Sequence, residues 1–208
     1  MSILRRTAML TSLSLCVCAI AGVSPAIAVT PAEAFVSENI DKGLGILNDK
    51  QLTQAQRKEQ FAGLLLGVTD MRRIALFVLG RYAQTSTEAD KEAYVAAFQH
   101  YATAVYQSYL AKYAGQTLQV VHSSERAPGD FVVVTKLMDT GEGSGQQPLE
   151  VDFRIRTDSG KPMLVDFSVA GIWLALEERD QFSAVLSQNN GSIPVLISHL
   201  DKIASQYD

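Results

Sequence analysis

Between Gly115 and Gly171 the apolar residues of this chain recur at every second position; on either side of that stretch they recur every third or fourth. No other feature restricts the fold so much. Alternation makes strands with one dry face, and a dry face must be covered. The helical period before and after it supplies stripes able to do the covering. The order helices, antiparallel meander, helices therefore predicts an α+β domain, with a four-stranded antiparallel sheet under helices on one face, enclosing either an apolar pocket or a closed core. The strands are "QTLQVVHS", "DFVVVTKLM", "PLEVDFRIRT" and "PMLVDFSVA", joined by "APGD", "GEGSGQQ" and "DSGK", whose Gly, Pro and Asp suit hairpin turns. The third strand alternates most cleanly: Leu149, Val151, Phe153 and Ile155 against Glu150, Asp152, Arg154 and Arg156. That second set makes the outer face charged and wet. In the fourth strand the same rule puts Met163, Val165, Phe167 and Val169 inside and Leu164, Asp166 and Ser168 outside.

The helices announce their own ends. Thr30-Pro31-Ala32-Glu33 is a capping box with proline at the first helical position, and Thr53 to Gln56 repeats the signature before "RKEQFAGLLLGV". "TDMRRIALFVLG" stops at Gly80. Tyr94, Phe98, Tyr101, Val105, Tyr109 and Tyr113 form one aromatic stripe in the longest helix, roughly 87–113. Beyond Gly171 and Trp173, "LALEERDQFSAVLSQNNG" returns to helix, with Glu177 and Glu178 as an exposed first turn, and Ser192 is placed to cap a last helix.

The first 28 residues read as a leader. Arg5 and Arg6 precede an apolar stretch from Ala8 to Val23, and Ala26-Ile27-Ala28 has the small-x-small pattern of a cleavage site. Cutting after Ala28 leaves 180 residues, 29–208, as one exported domain. Both cysteines, Cys16 and Cys18, fall in the leader, so the exported part is held without disulfides or thiol chemistry. Without Arg5 and Arg6 there remain 16 basic residues against 22 acidic, a net charge of −6 that argues against nucleic acid as the partner.

Chemistry is thin along the chain. His100, His122 and His199 are scattered without metal-ligand spacing, and Ser144 in "GEGSG" sits in a turn between hairpin strands, where a nucleophile elbow does not form. The strongest catalytic arrangement is His122 with Asp152 or Asp166, and the alternation puts those carboxylates on the wet face. No cofactor or metal is implied. What the chain holds in excess is apolar face, which either fills a closed core or lines a cavity.

The order and spacing of short elements resemble the MlaC (toluene-tolerance) family of periplasmic phospholipid-binding proteins. The matching residues are Arg57, Phe61, Asp70, Leu79-Gly80, Tyr82, Phe98, Tyr101, Tyr113 and Gly115, then Val165-Asp166, Gly171, Arg179 and Phe182. Two positions depart from the pattern. Met163 stands where the family usually opens its last strand with Trp, and Trp173 stands where it has Ser. The resemblance implies a non-enzymatic periplasmic carrier. It would exchange phospholipid between an outer-membrane lipoprotein complex and an inner-membrane ABC transporter complex, or, if Trp173 reshapes the cavity, bind a hopanoid or other polycyclic lipid. Applied to that implied cavity, the face rule nominates Val133, Val151, Phe153, Ile155, Val165, Phe167 and Val169 from the sheet. Ile74, Phe77, Val78, Phe98, Tyr101 and Val105 are expected to face them from helices, with Ile172, Trp173 and Leu174 closing one end. Arg72 and Arg73, beside Asp70, are candidates for steering toward acidic headgroups or partners.

Overall fold

A computed structural model of the chain describes residues 29–111, 117–138 and 149–207. The leader with both cysteines, Tyr113, Gly115, Ser144 and its loop, and the side chain of Tyr109 lie outside the described residues. The expected order holds. Helices α1 (Pro31–Asn48), α2 (Gln54–Val68), α3 (Met71–Leu79), α4 (Tyr82–Thr85) and α5 (Glu88–Ala111) come first. Strands β1 (Thr117–Ala127), β2 (Asp130–Met138), β3 (Leu149–Arg156), β4 (Met163–Val169) and β5 (Ile172–Trp173) follow, then α6 (Leu174–Gln188) and α7 (Ile193–Ala204).

Local chemistry starts the helices where it should. The Thr30 and Thr53 side chains accept the N–H groups of Glu33 and Gln56, whose side chains return the bond. Gly80 ends α3 at φ 60°, a conformation glycine adopts without steric cost. Ser192 occupies the cap position of α7, but its side chain makes no capping bond there.

The sheet is an antiparallel meander, β1-β2-β3-β4-β5, with one strand more than expected. The extra strand exists because Ala170 (φ 51°) and Gly171 (φ 81°) both turn left-handed, as a two-residue hairpin loop requires, so Ile172 and Trp173 fold back on Val169 and Ser168. A second departure lies inside β4. Ile155 pairs with Leu164 and Arg154 with Asp166, so Val165 is a bulged residue without a cross-strand partner. The bulge restarts the alternation. Leu164, expected outside, packs on the buried side, and Val165 loses the inward place that unbroken alternation assigns it.

The apolar interior forms two clusters. The larger is helical and joins α3, α5, α6 and α7 around Leu79, Tyr94, Phe98, Phe182, Leu186, Leu196 and Leu200. Phe98 packs edge-on against Phe182 at 6.4 Å between ring centres, and Tyr101 does so at 5.7 Å. Phe98, Tyr101 and Val105 therefore serve a helix-helix core, not the sheet-facing wall expected of them. The smaller cluster sets Ala32 and Val36 of α1 on Val133 and Ile155 of the sheet. A hydrogen bond between the Thr30 and Ser123 hydroxyls, 3.0 Å, pins α1 to β1.

Candidate functional site

The two clusters meet along a seam of three rings, two half-buried and one buried. Phe153 of β3 and Phe167 of β4 are cross-strand partners whose rings stack at 6.4 Å with an interplanar angle of 25°. Phe153 packs on the α1 cluster and Phe167 on the helical one. Tyr106 of α5 then meets Phe167 edge-on, 5.2 Å between centres and 80° between planes. Val151 and Val169, half-buried partners of each other, continue the same face of the sheet. Beside the rings runs an apolar cleft walled by Leu65, Met71 and Ile74, Leu164 and Phe167, and Ala175. Its free volume is about 20 Å³, room for one water molecule.

Two carboxyl groups border this seam. Asp166, expected on the wet face, is buried. Its Oδ1 accepts the N–H of Phe167 (2.8 Å) and of Ala175 (3.1 Å). It thus caps α6 from the neighbouring strand, a task Trp173 at the cap position lacks the oxygen to perform. Burial raises its pKa, against the pull of those two N–H groups and of the Arg154 charge. Glu178, expected exposed, is only 5% exposed. The Tyr106 hydroxyl donates to its Oε1 at 2.8 Å. Burial pushes Glu178 up to about 7; hydrogen bonds from Tyr106 and Tyr101 act the other way, and the nearby Asp166 charge adds to the rise. A signal for Glu178 was present: Ala175, Glu178, Phe182 and Leu186 step by three, four and four along the buried side of α6. Tyr106, one position beyond Val105 in the aromatic stripe, is likewise a seam residue that the periodicity passed over.

The remaining nominated residues are dispersed. Ile74, Val78 and Val105 are buried in the helical cluster, Leu174 is half-buried against it, and Val133 and Ile155 are fully covered beneath α1. Phe77 is 39% exposed, under the Arg179 guanidinium, and Ile172 is 58% exposed at the sheet edge. Trp173 pairs with Ser168, whose hydroxyl donates to Asp152 at 3.0 Å. Cross-strand partners share a face, so the indole belongs to the Asp152 side of the sheet and not to the Phe167 side. Both helix arginines are engaged in exposed ion pairs. Arg72 is paired with Glu88 and Glu92, and Arg73 with Asp158. His122 is exposed on β1 and lies two strands from Asp152, with Val134 between them, so they make no His-carboxylate pair.

These features define an α+β protein in which an antiparallel meander and a helical layer share a thin apolar boundary. Residues 37–202 match the family model described as MlaC protein, and the chain belongs to that family. The same architecture occurs in a phospholipid-binding protein from Ralstonia solanacearum, solved in complex with a phospholipid. That protein is 23% identical, with a TM-score of 0.73 over 85% of this chain and 98% of the other.

Proposed function

We propose that this protein is a carrier that shelters the acyl chains of a diacyl phospholipid between sheet and helices, at the Phe153-Phe167-Tyr106 seam. The observation that carries the reading is the division of the interior: two apolar clusters touch through a short row of rings, Phe153 and Phe167 half-buried and Tyr106 buried, where a single core would have interlocked. MlaC membership and the phospholipid held by the Ralstonia protein support it. Exposing acyl chains to water costs about 0.8 kcal/mol per methylene, so a carrier must surround them with apolar side chains. A ligand pocket usually needs about 300–1,000 Å³. The seam must therefore part for a tail to enter, sheet and α1 moving away from the helical cluster. Binding of this kind uses no nucleophile, cofactor or metal.

The wider role follows from the leader and the family. The protein is exported to the periplasm after cleavage behind Ala28 and works there as a single domain, 29–208. It passes phospholipid between an outer-membrane lipoprotein complex and an inner-membrane ABC transporter complex. No described helix is long and apolar enough to cross a membrane. A polycyclic ligand gains nothing from Trp173, whose side chain belongs to the other face of the sheet. The hydrolase reading loses its nominated pair, since His122 lies two strands from Asp152.

The test is mass spectrometry of solvent extracts from protein purified without detergent. One phospholipid per chain is expected from the unaltered protein and from Trp173→Ala, and none from Phe153→Asp. An empty, well-folded wild-type protein, or lipid retained equally by Phe153→Asp, would overturn the seam as the binding site.

A further inference from the structure

On the outer flank where α3 ends against α6, a solvent-open pocket of about 380 Å³ is lined by Arg81, Arg179, Ser183 and Ser187. Its arginines differ from four others in the molecule. Arg72, Arg73, Arg154 and Arg156 each hold a carboxylate. Arg81 and Arg179 hold none among the described residues. Both are nevertheless held in place by aromatic rings. The Arg81 guanidinium lies 5.0 Å from the centre of the Tyr82 ring, that of Arg179 5.2 Å from the centre of Phe77. Arg81 also donates to the Tyr82 hydroxyl at 3.0 Å. Gly80 gives Arg179 its room, since a β-carbon there would come within 3.0 Å of Nε. Stacked guanidinium groups lose little freedom when their N–H edges engage a carboxylate, so two of them are prepared for bidentate pairing.

We infer that this pocket is a docking site for an acidic segment of a partner protein, with Arg81 and Arg179 pairing its carboxylates. Arg179, Ser183 and Ser187 recur every four residues and so follow one line along α6. The Ser183 hydroxyl has no hydrogen-bond partner among the described residues and is available to the same ligand. Leu176, one turn before Arg179 and 50% exposed, and the 39% exposed Phe77 supply apolar shoulders for the side chains that flank an acidic residue. An anionic membrane is a poorer occupant. The chain is itself acidic, with a formal net charge of −4, so a broad negative surface repels most of it, whereas a short acidic segment meets only the local pair. The inference is independent of whether the seam carries lipid.

Amide chemical shifts of the protein, titrated with a synthetic peptide of alternating glutamate and leucine, test it. Saturable shifts centred on Arg81, Arg179, Ser183 and Ser187 are expected, weakening with salt. Binding should drop roughly tenfold in the double variant Arg81→Ala, Arg179→Ala, which removes two exposed ion pairs, while shifts elsewhere confirm an intact fold. The double lysine variant should fall between, since it keeps the charge and loses the planar fork. The inference is overturned by the absence of shifts at these residues, or by shifts that survive the alanine pair or persist when glutamine replaces the peptide's glutamates. Shifts produced equally by inorganic phosphate would make the pocket a small-anion site instead. Shifts produced by phosphatidylglycerol-phosphatidylcholine vesicles and not by the peptide would make it a membrane contact.

Discussion

The helical cluster and the α1-sheet cluster are built from the same residue types and packed to different depths. Phe98, Phe182, Leu186, Leu196 and Leu200 are buried essentially completely, with each aromatic edge set against another. Among the described apolar residues of the sheet only Val133 and Ile155 reach that state, and Phe131, Phe153 and Leu164 around them stay half-buried. Most of the apolar stabilisation therefore resides in the helices. The sheet is covered at two places, by α1 over β1 and β2 and by α3 and α6 at β4. In such an arrangement local opening is expected to cost least along the less deeply packed boundary.

Truncating one ring on each side sharpens this contrast most. Phe182→Ala should cost about 3–5 kcal/mol, the usual loss for a fully buried ring. Phe153→Ala should cost about 1–2 kcal/mol, because part of its surface is already wet. Denaturant unfolding of both variants checks the difference, and equal losses would mean a single continuous core.

The next effect is electrostatic. Burial pushes Glu178 from the ordinary glutamate value of 4.5 up to about 7 in the folded protein. The folded state thus holds a proton that the unfolded chain releases, and stability falls as pH rises from about 4.5 through 7. The full span corresponds to about 3 kcal/mol. Asp166, also raised by burial, slopes the same way nearer its own range. Glu178→Gln keeps an acceptor for the Tyr106 hydroxyl and should flatten the profile between pH 5 and 8. An unchanged slope in that variant would place the titration elsewhere.

The smallest effect belongs to the sheet edge. Ala170 carries a positive φ in a turn that favours Asn-Gly. Ala170→Asn should raise stability by about 0.5 kcal/mol, seen as a shift of the denaturation midpoint without a change of slope. A loss of stability would show that β5 is held by something other than its turn.

Element order was legible because period is a local property. Residues three or four apart on a helix share a face wherever that helix is placed, and Thr30, Thr53 and Gly80 mark its ends through bonds or conformations spanning a few residues. The candidate site was legible in part. Phe153 and Phe167 follow from alternation, while Leu164 and Val165 exchange places because one bulged residue reverses every face before it. Trp173 was misplaced because a two-residue strand has too few positions to show a period, and its face is decided by its pairing with Ser168.

The amino-acid sequence by itself determined the α+β order, the capped helices, the one-sided meander and the family resemblance, all of which rest on interactions between near neighbours in the chain. Only the tertiary structure decided that the aromatic stripe of α5 serves a helix core, and that Asp166 caps a helix begun eight residues later. It likewise decided that Glu178 is buried under Tyr106 and that two stacked arginines share a pocket. Those outcomes depend on which elements come to lie against each other. The partner of a stripe is chosen by the packing of the whole chain, and burial, with the charge states it imposes, follows from that choice.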